Sequence, residues 1–375
     1  MADTINIMVL YWGRKGGGAH YSLELARELN LQKGVNLTLS ISNQCELREQ
    51  FRKIGAPIHY VDTNPNIPAY AFNLTFGRPK IKKGLIRFLQ NRGVDLVIIG
   101  MDFFWGETIY KACREEGVKS LLVVHEATPH PREPFYMVLM KKAGLSKSIT
   151  GADHLVTLTD HVKRIVTDRY PVADSDISVI PHGIFSYYNA SSPRKLPEKG
   201  PTRIIYFGRI EYYKGLDLLV DAYSKLEKMH SNLILEIWGS GSLAEVKEKL
   251  TELQNVKIEN RWVGEEEIPK IFQQAHICVL PYRDASQSGI VGIASDAGVP
   301  IVATPAAGLV EQLEKAGAVI ARDIDADALC DAMNELLQNP GLYSNLSEES
   351  IRYAESLQWD SIAEEFHRLG LKLTE

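Results

Sequence analysis

Two cations, Arg209 and Lys214, flank a turn between glycines in the run FGRIEYYKGLDLLVDAY. A helix opening near Gly215 would present backbone N–H groups and the positive end of its dipole, and two cations beside it suit a diphosphate. Taken alone, such a pair is more simply two solvated charges at a helix entrance. A second run, ICVLPYRDASQSGIVGIASDAGVPIVAT, joins a buried strand to a polar loop and to a helix opening at Ser288-Gly289. Free N–H groups there would again take a phosphate. Between the two lie IWGSGS, with Gly239 and Gly241 after a strand, and RWVGEEEIPKIF, with Gly264. The acidic start Glu265–Glu267 is explained by the helix dipole alone.

The first half carries two further candidates. Gly16, Gly17 and Gly18 stand between a strand and a helix in YWGRKGGGAHYSLELAREL. They allow close backbone approach of an anion or a sugar hydroxyl, or simply a tight turn. The loop is neither G-x-G-x-x-G nor a Walker motif. The next strand, VNLTLSIS, ends without an acidic residue, Glu46 and Glu49 falling beyond it, which argues against a dinucleotide enzyme. His125-Glu126 closes a strand ahead of ATPHPREP, where Pro129, Pro131 and Pro134 imply a rigid loop that also holds His130. A histidine at a strand end can bond a ligand or carry a proton. The plainer alternative is a ring satisfied by a backbone carbonyl.

The elements that position these residues alternate. Strands are expected at Ile5–Trp12, Val35–Ser42, Asp95–Met101, Ser120–Glu126, His154–Thr159 and Ile177–Pro181. Helices fall between them at Ala19–Asn30, Ile81–Asn91, Glu107–Glu116 and Asp160–Arg169. The polar, three-proline stretch Ser186–Thr202 then reads as a linker. A second series follows, with strands at Arg203–Arg209, Leu233–Gly239, Val256–Asn260, Ile277–Tyr282, Pro300–Thr304 and Ala318–Ala321. Its helices lie at Leu216–Lys228, Leu243–Leu253, Glu266–Ala275 and Leu309–Lys315, and a helical tail from Asp325 breaks near Asn339-Pro340-Gly341. The class is α/β, two doubly wound Rossmann-like domains facing a cleft, with ligands at the strand C-termini. The expected boundaries are 1–185, a linker 186–202, 203–357, and a last helix 358–375.

At 375 residues, 45% hydrophobic and 24% charged, the chain has the composition of a globular protein of about two domains. Net charge is −5, against a binder held by nucleic-acid phosphates. The average conceals +5 over residues 1–190 and −10 over the rest. Four scattered cysteines, Cys45, Cys113, Cys278 and Cys330, make no metal pattern and read as buried thiols. The N-terminus reads as a first strand, not a signal peptide, and no window is apolar enough to span a membrane, so the cytosol is the expected compartment. The four N-x-S/T triplets are then chance matches.

The ordered series GGGAHYSLELARELN, VVHEATP, VIPHGIF, YFGRIEYYKGLDLLVDAY, IWGSGS, RWVGEEEIPKIFQQAHICVLPY, AGVPIVAT and ESLQWDSIAEEF resembles the GT-B-fold retaining glycosyltransferases of family four. It spans nearly the whole chain. The resemblance implies sugar transfer from a nucleoside-diphosphate sugar (UDP-, GDP- or dTDP-linked) with no cofactor and no metal ion. The first domain would bind the acceptor and the second the donor. Carried over residue by residue, Arg209 and Lys214 would contact the diphosphate and stabilise its leaving charge. His125 would bond a hydroxyl of the transferred sugar. Gly17 and Gly18 would approach the phosphate or acceptor, Gly208 and Gly239 would belong to the donor loops, and Val263 would line the base pocket. The last helix would cross back to the first domain near Trp359.

One departure stands out. The family's two glutamates, with seven residues between them and A-x-A-x-G-x-P after the second, fall here at Ala285 and Ile293, or with a one-residue shift at Ser286 and Ala294. Ser286, Gln287, Ser288, Gly289 and Ile290 would then meet the sugar and phosphate instead, and Asp284 and Asp296 are nearby carboxylates. Such a change leaves three readings: an active transferase of a subgroup without the pair, a catalytically silent GT-B scaffold, or a GT-B-like nucleotide-sugar epimerase. For the acceptor, a glycan or a lipid-linked sugar, GRPKIKKGLIRFLQNR carries Lys80, Lys82, Lys83, Arg87 and Arg92 beside apolar residues, and FYMVLMKKAGLSK offers a second mix. An amphipathic helix with a solvated basic face is the plainer reading. The functional one is loose attachment to the anionic inner face of the membrane during cell-surface polysaccharide synthesis.

Overall fold

The structure is a computed structural model, and it describes residues 4–63, 77–101, 105–127, 144–184 and 192–375. The chain forms β1 (Ile5–Tyr11), α1 (Gly17–Leu29), β2 (Val35–Ser42), α2 (Arg48–Lys53), β3 (Ile58–Val61), α3 (Arg78–Arg92), β4 (Leu96–Ile99), α4 (Gly106–Glu115), β5 (Lys119–Val124), β6 (His154–Thr157), α5 (Asp160–Arg169) and β7 (Ile177–Val179). A second series follows: β8 (Thr202–Phe207), α6 (Leu216–Met229), β9 (Leu233–Trp238), α7 (Lys247–Glu252), β10 (Val256–Glu259), α8 (Ile268–Gln274), β11 (Ile277–Leu280), α9 (Gly289–Asp296), β12 (Ile301–Ala303), α10 (Ala307–Ala316), β13 (Ala318–Ile320), α11 (Ala326–Gln338), α12 (Pro340–Glu355) and α13 (Trp359–Thr374).

Contacts divide the chain into two units, the first comprising residues 1–129, 133–183 and 359–375, the second 130–132 and 184–358. In the first, seven parallel strands run in the order β3-β2-β1-β4-β5-β6-β7. In the second, six run in the order β10-β9-β8-β11-β12-β13. A parallel sheet needs helices on both faces, and β1 shows how the sequence meets that need. Ile5, Ile7, Val9 and Tyr11 face one core, shared with α1 and α13, while Met8 and Leu10 face another under α3, α4 and α5. In the second unit Ile205 and Phe207 of β8 face one core and Ile204 and Tyr206 the other. Strand order reverses at β1/β4 and at β8/β11, so each sheet opens a crevice at those C-terminal ends.

Several expected boundaries move. β5 starts at Lys119 and stops at Val124, one residue short of His125, so His125 lies in the loop and not in the strand. α2 and β3 were not anticipated: α2 has six residues and β3 four, too short for a period to show. α3 begins three residues earlier than expected because Pro79 fits a first helical turn. α7 and α8 are shorter than expected, the latter because Pro269 sits in its first turn. β8 takes Thr202 from the expected linker, and Arg194, also in that stretch, bonds the carbonyls of Gln273 and Ala275 at 3.1 and 2.9 Å. Residues 186–191 of the linker, His130, and 135–143 of the second basic-apolar run lie outside the described residues. All four cysteines are buried free thiols. Among the described residues no helix is long and apolar enough to cross a membrane.

The last helix closes the first unit. Phe366 is fully buried in the core that holds Ile5 and Ile7, and Gly370 lies against Leu96 and Ile5. Phe366→Ala should cost about 3–5 kcal/mol, read as a lower midpoint in urea unfolding.

Candidate functional site

In the second unit the crevice between β8 and β11 is made of backbone that only glycine admits. Gly208 leaves β8 at φ 130°, and a Cβ on Gly239 would lie 1.8 Å from the Gly208 carbonyl oxygen. Gly208 N–H donates to Trp238 O at 2.9 Å, and Ile210 N–H to Ser240 O at 2.9 Å, so β8 and β9 stay paired beyond their ends. Gly215, at φ 65°, opens α6 so close to β11 that a Cβ would meet Pro281 O at 1.8 Å.

That packing carries the two cations. Lys214 ends a 3-10 turn, Tyr212–Lys214, and its ammonium sits 3.7 Å from the centroid of the buried Tyr282 ring and 5.3 Å from that of Tyr213. Arg283 bonds Asp217 through two nitrogens at 2.8 and 2.5 Å and the Tyr212 carbonyl at 3.0 Å. This brace fixes the turn against the β11 loop. The Arg283 guanidinium holds the Asp217 carboxyl below its ordinary range against the opposing effect of burial. Arg209 pairs with Glu211 at 2.8 Å, and its side chain is 62% exposed. It therefore remains open to an anion, with Glu211 as the competitor to be displaced.

The loop after β11 differs from expectation. The N–H groups at the start of α9 are partly taken: Ser288 Oγ accepts from Ile290 N–H at 3.3 Å, and Ser288 N–H donates to Gln312 Oε1 at 2.7 Å. Ser286 and Ser288 are buried, while nothing stands within 4 Å of a Cβ placed on Gly289. The Gln287 Oε1 atom is buried without a described hydrogen-bond donor. Ala285, Ile293 and Ala294, three of the positions that matched the absent glutamates, lie in the core. A carboxylate placed at any of them in this packing would be desolvated. Val263 is partly buried against the same core, and beside it Trp262 is 69% exposed. Arg261 grips Glu267 at 2.8 and 2.6 Å, and Glu267 also accepts from Gly264 N–H at 3.1 Å. The acidic start of α8 thus braces this loop in addition to meeting the dipole.

In the first unit the crevice lies between β1 and β4. A Cβ on Gly18 would meet Met101 Sδ at 2.8 Å, and one on Gly100 would meet Ser22 Oγ at 2.0 Å, so α1 packs directly on the β4 end. Nothing lies within 4 Å of a Cβ at Gly17. Glu46, beyond β2, reaches back to accept from Gly16 N–H at 2.8 Å. Its carboxylate lowers the appeal of this loop to a phosphate and favours a hydroxyl-bearing ligand. His125 donates from Nε2 to Gly100 O at 2.8 Å, so the carbonyl partner that a plain structural histidine would have is present. Its ring also stands at the strand end, 4.8 Å from the buried Tyr21 ring and 6.3 Å from that of His182. His182 and Trp359 each pack on Tyr21 with centroids 5.1 Å away. Burial lowers the basicity of both histidines, bringing His182 down to about 4. His182, Tyr21 and Glu46 were missed as site residues; the PHG triplet beyond β7 was the only sequence signal for His182.

α3 shows what its charges do. Leu85 and Leu89 are buried in the core, so the exposed face is Lys80, Lys83, Arg87 and Arg92, while Lys82 pairs with Glu115 at 2.6 Å. Any contact with a membrane would be electrostatic, the apolar side being used inside. Among the described residues no three metal-binding side chains gather.

Residues 15–185 match the family model Glycosyltransferase Family 4, and residues 189–353 match Glycosyl transferases group 1. The chain carries a Family 4 glycosyltransferase domain match followed by a group 1 match. Among curated relatives, the glycogen synthase of Mycobacterium tuberculosis is 25% identical over 221 residues, 57% of this chain and 53% of its own. The chain spans about half the length of the curated relatives it matches. Among solved structures, a Rickettsia africae glycosyltransferase superposes with a TM-score of 0.76 at 16% identity, covering 99% of both chains. Anabaena HepE in complex with UDP gives 0.77 at 13%, covering 97% of this chain and 99% of its own. At such identities the likeness shows the fold, two parallel-sheet α/β domains.

The neutral His182 has a consequence for stability. The unfolded ring protonates below about 6.5 while the folded one resists to about 4. Stability is therefore full above that range and falls as pH drops through it, by an amount on the order of 1–3 kcal/mol. Urea titrations at pH 7.5 and 5 should show this loss, and His182→Gln should shrink it.

Proposed function

We propose that the protein is a retaining glycosyltransferase that moves a sugar from a nucleoside-diphosphate donor to a hydroxyl of a glycan or lipid-linked acceptor. The observation that carries this is the braced turn of the second unit, where Arg209 and Lys214 stand at the switch point of the sheet. Their positive charge, with the α9 loop from Ser286 to Ile290, would receive the diphosphate; Gly208 and Gly239 let it approach the backbone, and the Val263 loop would hold the base. HepE is described with UDP, which makes a uridine donor the first to test. In the first unit, His125 would bond a sugar hydroxyl, and Gly17 and Gly18 would meet the acceptor side.

In the reaction, the bond from the sugar's anomeric carbon to the phosphate oxygen breaks as the acceptor oxygen bonds the same face. The acceptor proton passes to the leaving diphosphate. No side-chain nucleophile is required, so the absent glutamates do not preclude turnover. Arg209 and Lys214 would supply the charge stabilisation that a metal ion supplies elsewhere, and EDTA should leave turnover unchanged. The basic face of α3 would favour an anionic inner membrane surface and a lipid diphosphate acceptor, with salt-sensitive liposome binding as the check.

The deciding experiment is transfer and donor hydrolysis with a panel of UDP-, GDP- and dTDP-sugars, alongside calorimetry with the diphosphates. Arg209→Ala and Lys214→Ala should each lower kcat by roughly 10²–10³-fold, as loss of one charge-stabilising donor does. His125→Ala should also lower it. Unchanged transfer in the two cation variants would overturn the site, and a chain that binds no nucleoside diphosphate would instead be a scaffold.

A further inference from the structure

The polar atoms around Tyr21 are arranged in a way that the proposed transfer does not by itself use. A backbone carbonyl can only accept, so the 2.8 Å bond to Gly100 O requires the proton of His125 to sit on Nε2. By the same rule His182 carries its proton on Nδ1, which donates to Gly183 O at 2.5 Å. In a neutral ring the other nitrogen then holds a lone pair: Nδ1 of His125 and Nε2 of His182. Between the two rings stands Tyr21, fully buried, whose hydroxyl has no described partner. The indole Nε1 of Trp359 is likewise buried without one. Trp359 is seated so closely over Gly183 that a Cβ there would lie 2.5 Å from its ring. The edge-on contacts among the four rings, 4.8 to 6.3 Å between centroids, leave no one of them free to turn alone.

We propose that Tyr21, His182 and Trp359 are positioning residues that pack His125 against the Gly100 carbonyl, which fixes its Nε2–H tautomer, so that Nδ1 accepts a hydrogen bond from a substrate hydroxyl. This rests on the reading that His125 meets the sugar. Several groups bear on the charge of the ring. Among the described residues His125 faces the His182 imidazole, the Tyr21 phenol and the neighbouring Glu126. His182 faces His125, Tyr21 and Trp359. Burial holds the Tyr21 phenol protonated far above its ordinary range, so it adds no charge. Glu126 favours a cationic His125, but burial opposes it more strongly. A charged His125 disfavours a second charge on His182, while the neutral His182 adds none to His125.

The test uses the full chain labelled with ¹⁵N-histidine. Long-range proton–nitrogen correlation should show His125 neutral and protonated on Nε2 at pH 7. In His182→Gln, which removes a packing partner of the ring, the Nε2–H share of His125 should fall, and kcat should fall with it. Tyr21→Leu should lower kcat roughly 10–100-fold, as a small misplacement of a catalytic group does, with the donor KM changed about twofold at most. An Nδ1–H or charged His125 at pH 7 overturns the proposal, as does an unchanged tautomer and kcat in His182→Gln. If Tyr21→Leu does not fold, the wild-type spectrum and His182→Gln still decide. The underlying reading fails separately, when His125→Ala transfers sugar as well as the wild type.

Discussion

Both sheets are parallel, and a parallel sheet must bury both of its faces. That constraint governs the molecule. Alternate residues of β1 and β8 enter two different cores, so no side chain of the strand interiors is left for chemistry. What remains is the rim of strand C-termini, opened where strand order reverses. His125 stands past the end of β5, the glycine loop past β1, Arg209 and Lys214 past β8, and the Ser286–Ile290 loop past β11. Each candidate residue sits on a loop or in the first turn of the helix that follows it, anchored by the sheet beneath.

The anchoring is mostly backbone against backbone. Gly239 lies on Gly208, Gly215 on Pro281, and Gly100 on α1 through Ser22. Any Cβ at these points would force the loops apart. Side chains then add direction. The Arg283–Asp217 pair fixes the turn that carries Lys214, and the Arg261–Glu267 pair fixes the loop of Trp262 and Val263. These bridges are partly exposed, and their worth lies in geometry more than in stability.

The positions of the absent glutamates follow from the same packing. Ala285, Ile293 and Ala294 belong to the core between α9 and its neighbours, and α9 is capped by Ser288 and tied to Gln312. A short polar loop, not a helix-borne carboxylate, follows the end of β11 in this chain. The charge contrast between the halves gains a local meaning as well. On α3 the cations face outward because the apolar residues of that helix are consumed by the core. In the acidic half, Arg209 is held beside Glu211, so an incoming diphosphate would exchange one anion for another.

The alternation of short apolar runs with longer amphipathic ones was enough to specify the class, because strands buried on both faces leave short continuous apolar runs and one-sided helices leave a 3.6-residue period. Glycines at loop starts and the cations of FGRIEYYKG were legible for the same local reason. α2 and β3 were not, being too short to show a period. Nor could spacing reveal what distant segments do to one another. Glu46 reaches the Gly16 amide from beyond β2. Tyr21, His125, His182 and Trp359 come from four separated stretches and meet only because strand order brings β5, β7 and the last helix to α1. Which nitrogen of His125 carries the proton is likewise a tertiary fact, since it is decided by a carbonyl 25 residues away. Local composition determined where chemistry could reside, while long-range packing decided which groups touch and in which protonation state.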